Sequence, residues 1–383
     1  VSAAAAQEPA PTVVVEFEVA GRGGTPIVDL KPPDVRILQD DVAQTILALQ
    51  PTATAGRYQL RYVPASGQPG AVLLRVLRAG AVAAGPDGGP LRIKVEAPLT
   101  PLEQRLVPLL DASPPAAGLE HHPTVLRFER DGDKVHHTFA VEVPLAKLTL
   151  SPAGAVLRGR LGLLAQVKTE SGQRVERFSQ EYPIEVETSA EERLRAERLV
   201  WTSHVHLPAG TYVLETAVAD LDGAGASVLR TAFQGPAMDP GLRLSSVTVL
   251  APGGSLAVEV PSADNPLQRE DRQLLPSHRR QLVSGGEEQL PFYVVIYPDP
   301  AAPEPPQASL ELYRSGALVA RGTIALPSGT GSIPYVGSFP VAKLAPGPYE
   351  MKVVVRHGGA VATESAAFEM IPPIGVRNPD EPR

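Results

Sequence analysis

An all-β protein of three sandwich domains in tandem, joined by short helices, is what this sequence predicts, and three observations carry the prediction. The phrase "LPAGTYVLETAV" at 207–218 has close relatives at 54–63, "TAGRYQLRYV", and at 344–355, "LAPGPYEMKVVV". Proline and glycine, 41 and 34 of 383 residues, fill nearly a fifth of the chain and resist helix interiors, while 43% hydrophobic residues suffice for packed cores. Short runs that alternate apolar and polar side chains recur between turn-forming residues, the mark of half-buried strands. The length also exceeds what one hydrophobic core serves, which sets the expectation at two to three domains.

The three phrases share one register. Side chains on a strand alternate between faces, so Tyr58, Leu60 and Tyr62 oppose Arg57, Gln59 and Arg61. Tyr212, Leu214, Thr216 and Val218 form the matching face of the second copy, and Tyr349, Met351, Val353 and Val355 that of the third. A glycine precedes each tyrosine by two residues (Gly56, Gly210, Gly347), which suits a sharp reversal feeding a strand with one buried face. A tyrosine entering the penultimate strand of a sandwich can reach back to the preceding loop's backbone, as in the tyrosine corner of immunoglobulin-like folds. The phrase therefore predicts one such strand in each of three immunoglobulin-like sandwiches. Its copies lie 154 and 137 residues apart, room for a sandwich plus connections.

The expected organisation is a flexible segment at 1–11, sandwiches at 12–98, 120–236 and 244–374, a helical linker at 99–119, and a flexible tail at 375–383. The first sandwich draws on "TVVVEFEVAG", "DVRILQDD", "QTILALQP", the Tyr58 strand, "AVLLRVLR" and "LRIKVEAP". In the second, "TVLRFER" and "HTFAVEVP" flank "DGDK" as a hairpin, followed by "LGLLAQVK", "RVERFSQEYPIEV", "VWTSHVHLP", the Tyr212 strand and "SVLRTAF". The third runs from "LRLSSVTVLAP" through "SLAVEVP", "PFYVVIYP", "SLELYRSG", "ALVARGTIALP" and "YVGSFPVAKL" to the Tyr349 strand and "ATESAAFEMI". Two capping boxes mark short connecting helices: Thr100 with Pro101 and Glu103, and Ser189 with Glu192.

Charge and composition exclude several functions. The net charge of −7 lacks the clustered positive surface a nucleic acid requires. Absence of cysteine removes disulfides, thiolate metal sites and thiol nucleophiles together. No run approaches about 18 apolar residues, so no transmembrane anchor is expected. "VSAAAAQEPAP", with Ala4 and Ala6 before Gln7, resembles the end of a signal peptide with an A-x-A site, although the basic and apolar parts are missing. Either the sequence starts inside a signal or this is a flexible mature end. Export, to the periplasm, cell surface or exterior, is the favoured expectation.

Several phrases together resemble the C-terminal region of the acidobacterial VWFA-related proteins, secreted chains in which a von Willebrand A domain is followed by β-sandwich modules. They are "GRYQLRYVPASG", "VEAPLTPLEQRLVPLLDAS", "LPAGTYVLETAVAD" with "LRLSSVTVLAP", and "LAPGPYEMKVVV". The stretch "VVVEFEVAGRGGTPIVDLKPPDVRILQDDVAQTI" also resembles the strand pair that precedes the A domain. The departure is between Gln50 and Tyr58, where the A domain would be inserted and only a few residues stand; no D-x-S-x-S motif occurs. The resemblance thus implies an exported bacterial β-sandwich protein without metal-dependent adhesion.

No catalytic constellation or cofactor motif is legible. The histidines form pairs at 121/122, 136/137 and 204/206. A hairpin centred near Gly132 sets His137 opposite Arg127 and His121 near Val143, so the first two pairs are not neighbours across it. His204 and His206 share a strand face opposite Trp201, Ser203, Val205 and Leu207; that places both imidazoles toward solvent, and two ligands make an incomplete metal site. "DLDG" at 220–223 and "DGD" at 131–133 lack the further oxygen ligands calcium needs and read as polar turns. The basic stretch "REDRQLLPSHRRQ" offers Arg269, Arg272, Arg279 and Arg280 as an anion or partner loop, against a solvated loop balanced by Glu270 and Asp271.

The functional expectation is therefore a non-catalytic structural or protein-interaction protein, with protein partners and copies of itself as candidates and no nucleic acid. Val13, Val15, Phe17 and Val19 on one face of "TVVVEFEVAG" make this strand a candidate for strand addition to a neighbour, against the alternative that it pairs inside its own domain. A carbohydrate-binding adhesin is an alternative, weakened by 5% aromatic content and a single tryptophan, Trp201. An accessory subunit of a larger envelope complex is another.

Overall fold

Strand Thr12–Ala20 shows how alternation builds the first core: Val13, Val15, Phe17 and Val19 all turn inward and are almost completely buried. The computed structural model describes residues 11–52, 54–65, 71–96, 98–113, 115–236, 241–251, 255–259, 265–269, 272–278, 281–284, 289–327 and 331–372. The chain is all-β, built of sandwiches, and divides into two compact units, residues 1–104 and 105–383.

In the first unit Thr12–Ala20 is a central strand. It pairs antiparallel with Arg57–Tyr62 on one edge, Val13 opposite Tyr62 and Phe17 opposite Tyr58. On its other edge it pairs first with Arg92–Glu96 and then with Val82–Ala84. Ile46–Pro51 extends the sheet beyond Arg57–Tyr62. A second sheet of Val35–Gln39, Val42–Ala43 and Val72–Val76 contributes Val35 and Ile37 to the shared core. The segment considered for strand addition is thus taken up inside its own domain, where its apolar face meets Tyr58, Leu60 and Tyr62. The Thr100 capping box forms as expected: the Glu103 N–H donates to Thr100 Oγ1 at 3.2 Å and the Thr100 N–H to Glu103 Oε2 at 3.0 Å.

The second unit holds two sandwiches. One sheet of the second sandwich orders His122–Asp131, Lys134–Pro144, Arg198–Pro208 and Ser255–Glu259, the last running parallel to its neighbour. The facing sheet holds Ser151–Ala153, Val156–Thr169, Arg174–Glu187, Gly210–Asp220 and Ala226–Gly235. Phe139, Val141 and Val143 pack between them against Leu161, Leu163, Trp201 and Leu214. The Ser189 capping box does not form. The helix covers only Glu191–Ala196, its N-cap is Ala190, and the Ser189 hydroxyl donates instead to Glu187. A 3-10 turn at Thr188–Ala190 takes up the residues the box would need.

The third sandwich packs Gln289–Tyr297, Ile333–Pro340, Arg243–Leu244 and Thr248–Val249 against Gln281–Val283, Gln307–Arg314, Ala317–Ile324, Gly347–His357 and Ala360–Ile371. Phe292, Val294, Ile296, Leu312, Met351 and Val353 fill its core. Ser255–Glu259, expected as a strand of this domain, adds to the second sandwich instead. The chain leaves the third sandwich after Thr248–Val249, pairs with Arg198–Pro208, and returns at Gln281–Val283. This excursion joins the two sandwiches, because strand Gln289–Tyr297 is apolar on both faces. Phe292, Val294 and Ile296 point into its own core, while Tyr293, Val295 and Tyr297 pack on Leu126 and Phe128 of the second sandwich and on Leu250 and Leu267 of the excursion.

Candidate interaction site between the second and third sandwiches

The repeated tyrosines sit as the register predicts, and two of the three make the same bond. The Tyr212 hydroxyl donates to the Pro208 carbonyl and the Tyr349 hydroxyl to the Ala345 carbonyl, each at 2.9 Å. Gly347–His357 is the penultimate strand of its sandwich, whereas Gly210–Asp220 is followed in its own by Ala226–Gly235 and by Ser255–Glu259 of the excursion. Tyr58 departs. Its strand is followed by three more, and its hydroxyl donates to the Ile27 carbonyl and accepts from the Leu30 N–H, both at 3.0 Å. Gly56 (φ 77°) and Gly347 (φ 141°) occupy backbone conformations that glycine favours, whereas at Gly210 a Cβ would make a tight 3.3 Å contact with the Tyr212 hydroxyl.

The excursion is held to the second sandwich by polar contacts as well as apolar ones. Glu142, only 2% exposed, pairs with Arg198 and accepts the His278 N–H at 2.9 Å. The His278 ring lies parallel to His122 at 5.0 Å, and its Nδ1 is 2.8 Å from Thr124 Oγ1. Arg127 of the second sandwich pairs with Glu364 of the third. Burial raises the Glu364 pKa, and Arg127 offsets this in part.

The outer face of the second sandwich changes character along its strands. Beside Leu126 and Phe128 it presents His136, with His206 directly opposite in the register and His204 opposite Thr138. The ring centroids of His136 and His206 are 4.6 Å apart, those of His136 and His204 5.4 Å. His136 Nε2 lies 3.4 Å and Thr138 Oγ1 3.0 Å from His204 Nδ1. The sequence reading set His204 and His206 toward solvent; both are instead half-buried and joined by the buried His136. Trp201 and Leu207 do face the core, as expected, so the correction concerns what covers the other side. His137 lies opposite Arg127 as anticipated. Burial, reinforced by the neighbouring imidazoles, pushes the pKa of His136 down to about 3 and that of His204 to about 4.

His136 and His206 line a cleft of about 570 Å³ between the sandwiches. Phe128, Tyr293 and Tyr297 line it too, and Asn265, Gln268 and Arg269 of the excursion stand beside them. The Tyr293 hydroxyl donates to the Pro266 carbonyl at 2.9 Å, and burial pushes its pKa up to about 12. Strands Gln268–Arg269 and Arg272–Gln273 run antiparallel with Arg269 opposite Arg272; both arginines are exposed, and Arg269 borders the cleft. Arg279 and Arg280 lie outside the described residues. Sequence reasoning named Arg269 but missed its histidine neighbours, because strand register alone does not place a distant loop over a sheet face.

The "DLDG" motif is structural. Asp220 of "DLDG" accepts N–H groups of Thr149, Asp222 and Gly223 at 2.8–3.1 Å and so closes the turn. Among the described residues no group of three or more His, Asp or Glu is arranged to hold a metal ion, and no helix is long and apolar enough to cross a membrane. The indole N–H of Trp201 donates to Gln180 at 3.0 Å.

No family model matches the chain, and no curated protein matches it. Among solved structures it is similar to a red sea bream transglutaminase at 13% identity and TM-score 0.20, over 73% of this chain and 36% of that one. A DUF4785 family protein from Legionella pneumophila is similar at 12% identity and TM-score 0.18, covering 95% and 82% of the two chains. The ICAM-5 D1–D4 ectodomain fragment is similar at 11% identity and TM-score 0.20, covering 93% and 77%. This chain thus spans little more than a third of the transglutaminase.

Proposed function

We propose that this chain is an exported, non-catalytic structural and protein-interaction protein, a scaffold or assembly subunit at the cell envelope or outside the cell. We further propose that it is related to the β-sandwich regions of the VWFA-related proteins. The observation that carries the reading is the pair of sandwiches clasped by the excursion of the chain at 250–284, which fixes two β-sheets in one body. A rigid body with open sheet edges is suited to strand addition. Self-association uses the edge strand Ala317–Ile324, which among the described residues is hydrogen-bonded to a strand on one side only and exposes Leu318 and Val319. Thr12–Ala20 already has partners on both of its edges.

Light scattering over a concentration series tests this, on the full chain, on Val319→Lys and on a chain lacking residues 7–20. The expected result is concentration-dependent oligomers that Val319→Lys abolishes without lowering its melting temperature. Deletion of 7–20 is expected to unfold the first unit while association persists. A monomer at every concentration would overturn self-assembly through this edge.

A further inference from the structure

We propose that the cleft between the second and third sandwiches is a docking site for an acidic peptide segment, an Asp or Glu carboxylate seated on Arg269 beside His136 and His206. The proposal rests on the protein-interaction reading and gives it a site and a ligand chemistry. Its volume, about 570 Å³, falls within the ~300–1,000 Å³ of pockets that enclose ligands, and it lies at a domain junction, where such pockets concentrate.

The lining selects the chemistry. Where the sheet face is merely covered it is apolar: Leu126 shares a core with Leu250 and Leu267 of the excursion, none of which borders the cleft. At the cleft the same sheet face changes to His136 and His206, a costly choice for a surface that merely packs. Arg269 can only donate, and the imidazoles, Asn265 and Gln268 can donate or accept. A guanidinium beside further side-chain donors matches a carboxylate. Glu129, exposed at the same cleft, can only accept, and a peptide's backbone N–H groups answer it where a simple anion would be repelled.

The experiment uses the full chain with 13C-labelled histidine rings, titrated with acetyl-Glu-Asp-Glu-amide, with acetyl-Gln-Asn-Gln-amide and with citrate. The acidic peptide is expected to shift the His136 and His206 resonances saturably and leave those of His121 and His357 in place. Arg269→Gln weakens that binding about tenfold, the loss of roughly one charge-assisted hydrogen bond. Arg272→Gln, opposite Arg269 in the ladder but outside the cleft lining, weakens it less. The proposal is overturned if neither resonance moves, if the neutral peptide moves them equally, if Arg269→Gln binds as well as the parent, or if citrate binds as tightly as the peptide. Melting temperatures of the variants distinguish lost binding from lost folding. Failure here leaves the light-scattering result untouched, so the two readings fail separately.

Discussion

The Tyr212 hydroxyl donates to the Pro208 carbonyl four residues behind it, and Tyr349 makes the same 2.9 Å bond to Ala345. Tyr58, in the same sequence phrase, instead bridges Ile27 and Leu30. Tyr212→Phe and Tyr349→Phe each remove one hydrogen bond and are expected to cost about 1 kcal/mol. Tyr58→Phe also strands the buried Leu30 N–H and is expected to cost about 2–3 kcal/mol. Urea unfolding of the three variants ranks them, and an equal loss in all three would contradict the bridging role of Tyr58.

Gly56→Ala is expected to destabilise the first unit by about 3 kcal/mol, through a left-handed backbone and a crowded site together. A Cβ there would come within 2.8 Å of the Pro26 side chain and 3.0 Å of the Val19 carbonyl. Gly132→Ala, also left-handed at φ 60° but with open space around it, is the comparison and is expected to cost about 1 kcal/mol. Thermal melts of the two variants check the difference.

Acid is expected to unfold the second unit before the first. All eight histidines lie beyond residue 104. Burial lowers the pKa of His121 to about 4, of His136 to about 3 and of His204 to about 4. Because the folded values lie below the unfolded ones, the unfolded chain binds more protons as pH falls. Stability is therefore full above pH ~6.5 and declines toward pH 4 by about 1.4 kcal/mol per pH unit for each such histidine. His136→Asn should flatten this slope, read from urea midpoints between pH 7 and 4; an unchanged slope would contradict the burial of His136.

Glu142→Ala is expected to loosen the excursion from the second sandwich. It leaves Arg198 without its carboxylate and the His278 N–H without its acceptor, at a cost of about 3 kcal/mol. Tryptic cleavage after Arg272 should accelerate, while cleavage within residues 12–98 stays as it was. No change at Arg272 would mean the apolar contacts of Leu250 and Leu267 hold the segment unaided.

Much of this fold was legible because alternation is a local signal. The inward sets Val13, Val15, Phe17, Val19 and Tyr349, Met351, Val353, Val355 are buried as the period of two requires. The hairpin at Gly132 and the Thr100 capping box were likewise readable from adjacent residues. "LPFYVVIY" held a further signal: a strand apolar at every position is buried on both faces, which implies a second packing partner. Ser189 misled because a capping box and a 3-10 turn share their opening residues.

From its sequence alone, this protein was determined to be a set of β-sandwiches with one buried tyrosine at the head of a strand in each phrase, because strand period, turn glycines and proline content act over a few residues. Tertiary structure decided the rest. It seated Thr12–Ala20 between two partners, carried Ser255–Glu259 back to the second sandwich, and set Arg269 at the same cleft as His136 and His206. Those contacts join residues from 39 positions apart (Glu18 with Arg57) to 133 (His136 with Arg269), and they are chosen by which exposed faces can be covered, a property of the folded surfaces and not of any short stretch.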